Sequence, residues 1–367
     1  MKIKRFCAEN FRNIGKCEID FSDGVNLLYG KNAQGKTNAI EGIYLFSRGK
    51  SFRGREDSEL IKFGEQGFHI SIEYEDKYGE EKLEYSLFGK ERLRKKNGYK
   101  LNKITEMVGN FKSVLFYPDN LSLVKGGPEE RRSFLNIAAS ACFPAYMKYY
   151  YDYKSAVDNR SCILKFMQKG FQVDRSELDS WSLSMAEYAS HIYLFREEYI
   201  KKLEVHAEKI LYDISEGKEN LKISHICDIE CGLTDREKVK EEYVKVLTQS
   251  QDKESIQGVT LFGPHRDDLE IKINGKSARL YSSQGQQRSI VLALKLAEGE
   301  VIKEICGEYP VFLFDDVLSE LDEKRRNYVL SGKGERQIII TSCSQDECRG
   351  FTDNEIDVEN GIYKKVF

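Results

Sequence analysis

The sequence predicts an α/β fold in which the two ends of the chain form a parallel sheet and an antiparallel β part, with a mainly helical second lobe inserted between them. Three observations predict it. Short, largely apolar runs at Val25–Tyr29, Val311–Phe314 and Gln337–Ile340 read as strands of a sheet buried on both faces. Alternating segments fill much of residues 2–21 and 68–88, as half-buried strands do. Between about residues 129 and 217 the apolar spacing changes to three and four, the period of helices.

Taken in order, Lys2–Glu9 mixes apolar and polar residues, Lys16–Phe21 alternates, and Val25–Tyr29 is a compact run ending at Gly30. A helix is expected from Thr37 to about Ser47. Two strands within 68–88 are split by Lys77-Tyr78-Gly79, a hairpin signal. In the helical part, Leu178, Trp181, Met185, Tyr188, Ile192, Phe195 and Tyr199 mark one face of a long helix. Tyr146, Tyr149, Tyr150, Tyr153 and Val157 mark a partner helix, with Gln168-Lys169-Gly170 as the break between the two. The pattern is too short for a long coiled-coil arm, which needs heptads sustained over many more turns. Beyond residue 257, Asp268–Ile273 and Lys276–Leu280 flank Asn274-Gly275, a hairpin turn signal. A helix from about Gln286 to Ile305 then leads to the strand Val311–Phe314. The expected division is lobe I at 1–92 and 256–367, and lobe II at 93–255.

Composition narrows the function. At 367 residues the chain is long enough for a sizeable core, and with 40% hydrophobic residues and only five prolines it reads as folded. No stretch reaches the ~18 apolar residues of a membrane span, so a cytoplasmic protein without a membrane partner is expected. The nine cysteines show neither CxxC spacing nor histidines at zinc-ligand distances, and read as reduced thiols. A net charge of -3 gives no overall attraction for nucleic acid, so any DNA contact must be a local patch. The most basic stretch runs from Arg92 to Lys100 around an Asn97-Gly98 turn. Two readings fit it: a solvated hairpin, or a DNA contact through Lys95, Lys96 and Lys100.

Gly30-Lys31-Asn32-Ala33-Gln34-Gly35-Lys36-Thr37 fits GxxxxGK[ST] and lies between an expected strand and an expected helix, the context a P-loop requires. Its backbone N–H groups and the helix N-terminus would face phosphates, with Lys36 reaching the β- and γ-phosphates and Thr37 ligating magnesium. Phe312-Leu313-Phe314-Asp315-Asp316 has the form of a Walker B strand. Asp315 is the expected metal residue, and Asp316 the one that orients or deprotonates the attacking water. Lys36 and Asp316 are therefore the expected catalytic residues.

Ser282-Ser283-Gln284-Gly285-Gln286-Gln287-Arg288 opens a helix about 30 residues before the Asp pair and resembles the signature motif of ABC-type ATPases. That resemblance implies an ABC-type ATPase head in which Ser283, Gly285 and Gln286 bind the γ-phosphate of ATP held by the opposite subunit. Taken alone, the serine also fits a simple N-cap. Ser319-Glu320-Leu321-Asp322 resembles the D-loop of the same superfamily, with Ser319 and Asp322 at the dimer interface.

Further segments narrow the family: Asn10–Ile14, Glu41–Tyr44, Gly49–Arg53, Pro118–Gly126, Arg131–Leu135 and Gly263–Asp268. With the Ser-Gln-Gly-Gln-Gln signature they resemble the RecF family of bacterial DNA-repair and recombination ATPases along nearly the whole chain. The resemblance implies ATP and Mg2+ as cofactors, bound with the help of Arg12, Asn13, Gly30, Lys31, Asn32, Ala33, Gln34, Gly35, Lys36, Thr37 and Asn38. It implies single- and double-stranded DNA, RecR, RecO and a second copy of the chain as partners, loading of RecA at gaps, and slow ATP hydrolysis as a switch. Two departures from transporter ATPases stand out. Gln284 replaces a usual glycine, and Thr341-Ser342-Cys343 stands where a switch histidine would follow the last core strand. A transporter nucleotide-binding subunit and another ABC-type DNA-repair ATPase, such as an ATPase-nuclease with an added cluster of metal-binding acids, are the alternatives. His265 has two readings, catalytic or a structural or interface role.

Overall fold

The computed structural model describes every residue except Arg55, Cys231, Lys333 and Phe367. Cys231, one of the nine expected thiols, therefore lies outside the described residues, and the eight others form no disulfide among the described residues. The strands are β1 (Lys2–Phe11), β2 (Ile14–Asp20), β3 (Val25–Tyr29), β4 (Gly67–Asp76), β5 (Gly79–Phe88), β6 (Glu91–Lys96), β7 (Tyr99–Leu101), β8 (Ser113–Phe116), β9 (Leu221–Ile226), β10 (Asp268–Ile273), β11 (Lys276–Ser277), β12 (Val311–Asp315), β13 (Ile338–Ser342), β14 (Asn354–Glu359) and β15 (Ile362–Lys365). The chain forms two compact units. One comprises Met1–Leu121, Ile210–Gly217 and Gln284–Phe367, the other Ser122–Lys209 and Lys218–Ser283.

The first unit holds two sheets, in the orders β2-β1-β4-β5-β6-β7 and β15-β14-β3-β13-β12-β8. The first of these is antiparallel throughout. In the second, β14, β3, β13, β12 and β8 run parallel, and β15 closes one edge in the opposite direction. The central strands are buried on both faces, which explains their continuous apolar runs. Ile40, Ile43 and Leu45 of the helix Lys36–Arg48 join Phe6 and Phe11 of β1 and Leu313 and Ile339 of the parallel sheet in one core.

The second unit contains the helices Pro128–Cys142, Tyr146–Gln168 and Arg236–Gln257, most of the 40-residue helix Arg175–Ile214, and the small sheet β11-β10-β9. Ile163 and Leu164 pack against Leu178 and Trp181, closing the helix pair that the apolar spacing predicts. Two buried arginines cross-brace it. Arg160 bonds Glu254 at 2.6 Å and Ser182 at 2.9 Å, while Arg196 bonds Asp267 at 2.6 Å and the Pro264 carbonyl at 2.7 Å. His225 sits between Glu197, at 2.7 Å, and Asp267, at 3.0 Å. Burial alone would lower its pKa, but hydrogen bonds to the two carboxylates outweigh that and raise it. His265 pairs with the Tyr153 hydroxyl at 2.6 Å and the Thr260 carbonyl at 3.2 Å, and burial lowers its pKa. It serves packing, the structural one of its two readings.

Three stretches differ from expectation. The hairpin β6–β7 extends the antiparallel sheet and β8 is an edge of the parallel one, so the units divide after Leu121 and Ser283 instead of after 92 and 255. The second arm of the Asn274-Gly275 hairpin stops at Ser277, where Ala278–Tyr281 turns helical. β8, β9, β14, β15 and the helix Arg236–Gln257 form where the sequence raises no expectation.

Candidate nucleotide site

β3 lies between β14 and β13 and delivers the chain to Gly30. Two glycines there are required by geometry. Gly30 has φ +152°, and a Cβ would collide with the Val358 carbonyl. Gly35 has φ +118°, and a Cβ would fall 2.9 Å from Asn13 Oδ1 and 3.2 Å from the Tyr363 hydroxyl. Gly35 opens the helix Lys36–Arg48, whose first turn carries no acidic residue, so its positive end is left for an external anion. Lys36 is buried, and its Nζ donates to the carbonyls of Gly30 at 2.6 Å and Lys31 at 2.8 Å, curling the loop over the ammonium. Lys31, Asn32 and Ala33 are exposed, with Ala33 also at positive φ.

The loop is braced on two sides. The β14–β15 hairpin brings the Asn360 N–H to Gln34 Oε1 at 2.7 Å, the Gly361 N–H to the Gln34 carbonyl at 2.8 Å and the Tyr363 hydroxyl to the Gly35 carbonyl at 2.8 Å. On the other side Asn13 accepts from Asn38 Nδ2 at 2.6 Å and donates to the Ala33 carbonyl at 3.4 Å. Arg12, beside it, is taken up by protein: Nε and NH2 grip buried Glu41 at 3.0 and 2.7 Å, and NH1 donates to the Glu59 carbonyl at 2.7 Å. Glu41 also accepts from the Ser51 hydroxyl. The one sequence hint of that role is an acid on an otherwise apolar helix face.

β13 separates β3 from β12, and Asp315 ends β12 opposite Thr341. The hydroxyls of Thr37 and Thr341 both donate to Asp315 Oδ1, at 2.9 and 2.7 Å, leaving Oδ2 without a protein donor among the described residues. Burial raises the Asp315 pKa above the ordinary carboxylate value, and the two hydroxyls pull it part of the way back. A hydroxyl, an adjoining carboxylate and an open carboxylate oxygen are a hard-oxygen set of the kind magnesium takes, with phosphates supplying other ligands and no all-protein cage needed. The residues thus fit the ion. Asp316 is exposed, in the left-handed region at φ +53°, with its N–H on Thr341 Oγ1 at 3.0 Å.

The signature stands elsewhere. Ser283 and Gly285 are exposed at the start of the helix Gln284–Cys306, Gln286 is half-buried, and a Cβ on Gly285 would meet nothing within 4 Å. Gly299 packs against the Phe312 ring, so helix and strand are in contact there. From that contact the helix runs about 21 Å to Gly285. The helix also packs on β8, three strands from β3, or about 14 Å at the usual strand spacing. The helix that Gly285 opens thus packs at the β8 edge of the sheet, whereas the P-loop follows β3, beyond β12 and β13. Arg288 pairs with Glu320 at 3.3 Å, and Arg325 Nε bonds Ser289 at 2.9 Å, which ties the signature helix to the D-loop. Ser319 is exposed, and Asp322 caps the helix Glu323–Leu330 by accepting from the Arg325 N–H at 2.9 Å.

The basic hairpin is brought to neither place. In the antiparallel sheet Phe11 and Gly67 mark the end beside the P-loop, while the Asn97-Gly98 turn lies at the opposite end, next to Glu81 and Lys82. Lys96 bonds Asn110 at 2.9 Å and pairs with Glu81 at 3.4 Å. Lys95 lies opposite Glu84 on one side and Lys100 on the other.

A P-loop strand, a carboxylate strand one place removed and a remote signature helix define a P-loop ATPase head of the ABC/SMC type. A head of this type has counterparts among known proteins. The RecF/RecN/SMC N-terminal domain family matches residues 2–361, and the chain belongs to the RecF family of DNA replication and repair proteins. It is 38% identical to the DNA replication and repair protein RecF of Clostridioides difficile strain 630, over 98% of this chain and 97% of that one. It is also 38% identical to RecF of Acetivibrio thermocellus, over 98% and 99%. Among solved structures, the recombination mediator protein RecF of the RecFOR pathway, in its RecF-ATP form, is 35% identical with a TM-score of 0.91, covering 100% of this chain and 98% of that one. An Smc head domain from Pyrococcus furiosus, at 17% identity and a TM-score of 0.58 over 100% and 96%, shares the fold alone. No helix among the described residues is long and apolar enough to cross a membrane.

Proposed function

We propose that the chain is an ATP-switched DNA-binding protein of recombinational repair and replication restart, which dimerises around two ATPs and hydrolyses them slowly. Lys36 and the P-loop N–H groups hold the phosphates, with Asn13 and Asn38 as the loop's polar neighbours. Thr37 and Asp315 hold Mg2+, which supplies charge neutralisation at the phosphates when bound. Asp316 orients the attacking water. Ser283, Gly285 and Gln286 bind the γ-phosphate of the partner copy, and Ser319 and Asp322 lie at the shared interface.

One observation carries this reading. The chain has two helix starts with no acid in the first turn: one, at Lys36, follows β3, and the other, at Gln284, opens a helix that packs on β8, three strands away, an arrangement that favours one ATP meeting the two starts from different copies. A second copy supplies the missing half. DNA binding by the closed dimer, cooperation with RecR and RecO, and RecA loading at gaps are carried over from the family, and hydrolysis then reopens the dimer. Arg12, held by Glu41 and Glu59, shapes the loop beside the phosphates instead of supplying a free charge.

Sedimentation without nucleotide, with ADP and with ATP, each with and without gapped DNA, tests the proposal. Expected is a larger species with ATP that persists on DNA and is absent with ADP. A single species under all conditions would contradict it.

A further inference from the structure

Near its end, the strand between the P-loop strand and the carboxylate strand carries a hydroxyl that bonds both acids. Thr341 is buried on β13, 1% exposed. Its O–H donates to Asp315 Oδ1 at 2.7 Å, and its oxygen accepts the Asp316 N–H at 3.0 Å. Asp316 has φ +53°, a conformation that a non-glycine residue holds only where its surroundings enforce it. The next residue on the strand is tied to the P-loop as well: the Ser342 carbonyl accepts the Gly30 N–H at 3.3 Å, and the Cys343 thiol reaches Asn32 Oδ1 at 2.9 Å. The end of β13 thus touches the phosphate loop on one side and both acids on the other.

We propose that Thr341 is a positioning residue for ATP hydrolysis: one hydroxyl sets the orientation of the Asp315 carboxylate and pins the Asp316 backbone in the left-handed turn that aims its side chain. This rests on the assignment of Asp315 to the metal and Asp316 to the water. Because the hydroxyl donates to one residue and accepts from the other, a shift of the Asp315 carboxylate from Thr341 or of the Asp316 backbone breaks a bond to the same atom. Valine has the same branched shape and a strand preference but cannot donate or accept, so it leaves the fold's packing in place and removes only the link. Serine retains the link.

The test compares wild type, Thr341→Val, Thr341→Ser and Asp316→Asn, each checked for folding by thermal unfolding. ATP affinity is titrated with and without Mg2+, and steady-state hydrolysis is measured with gapped DNA. Thr341→Val is expected to lose about 10- to 100-fold in kcat, the range for residues that orient metal ligands, while metal-free ATP affinity stays within about 2-fold of wild type. Thr341→Ser should recover most of the lost rate. Wild-type kcat in Thr341→Val, or no recovery in a folded Thr341→Ser, would overturn the positioning role. Undiminished hydrolysis in Asp316→Asn would instead overturn the assignment beneath it, so the two failures are told apart.

Discussion

The two halves of the nucleotide site are built in opposite ways. Around the P-loop, Gln34, Gly35, Lys36, Thr37 and Asn38 are each bonded to another part of the same unit, and Lys36 and Asp315 are buried. At the signature, Ser283 and Gly285 are exposed, and Arg288 and Ser289 tie the helix to Glu320 and Arg325. The first half is preorganised by its own chain, and the second presents an exposed helix start whose first turn carries no acidic residue. A P-loop built in this way should hold ATP without help. The signature should matter only when two chains meet.

The most damaging single change to the first half should be Lys36→Ala. It removes a charge that bonds loop carbonyls and contributes little core packing, so the fold should survive while ATP affinity drops by at least about 100-fold in a fluorescence or calorimetric titration. Retained affinity would mean that the loop is not the phosphate site. Gly35→Ala should come next. It places a Cβ at φ +118° against Asn13 and Tyr363, and distortion of this size should weaken ATP binding by about 10-fold without loss of the secondary structure seen by circular dichroism.

A subtler effect belongs to the helical unit. The His225 pKa is raised in the folded state, so the stability it contributes is fully present below its unfolded value near 6.5 and is lost as pH rises through the folded value. The wild-type thermal midpoint should therefore decline across that window more than that of His225→Gln. Equal slopes would remove the Glu197–His225–Asp267 bridge from the stability account. Smallest of all is the expected effect at the basic hairpin. Of the three lysines singled out there, Lys96 is engaged by Glu81 and Asn110, which leaves Lys95 and Lys100 to meet phosphates. Changing both to Glu should reduce the salt slope of DNA binding by at most about 1.8. An unchanged slope would leave the hairpin as a solvated one.

The P-loop, the Asp pair and the signature were legible because each is contiguous and its chemistry is local: a glycine-rich turn, a strand end, a helix start. The strands β3, β12 and β13 were equally plain, since burial on both faces writes an uninterrupted apolar run. What escaped depends on pairing at long range. Tyr363 reaches Gly35 from the far end of the chain, and nothing near either residue announces it. Thr341 was visible only as a residue near the place of a missing histidine, and its bonds to two acids follow from β13 lying beside β12. The hairpin β6–β7 illustrates the converse: its turn was clear, but its distance from the P-loop follows from sheet register and not from composition.

The central claim is that one chain holds half of each ATP site, and the most direct test is the mass of the protein in ATP and Mg2+ measured by sedimentation velocity for wild type, Ser283→Arg and Asp316→Asn. Ser283→Arg adds bulk and charge at an exposed helix start that the account assigns to the partner copy's ATP, so monomer ATP affinity should stay near wild type while the ATP-dependent dimer disappears. Asp316→Asn keeps the size of the side chain but loses the carboxylate, so its ATP dimer should form and outlast that of wild type. If Ser283→Arg dimerises on ATP as readily as the unaltered chain, the shared site is wrong.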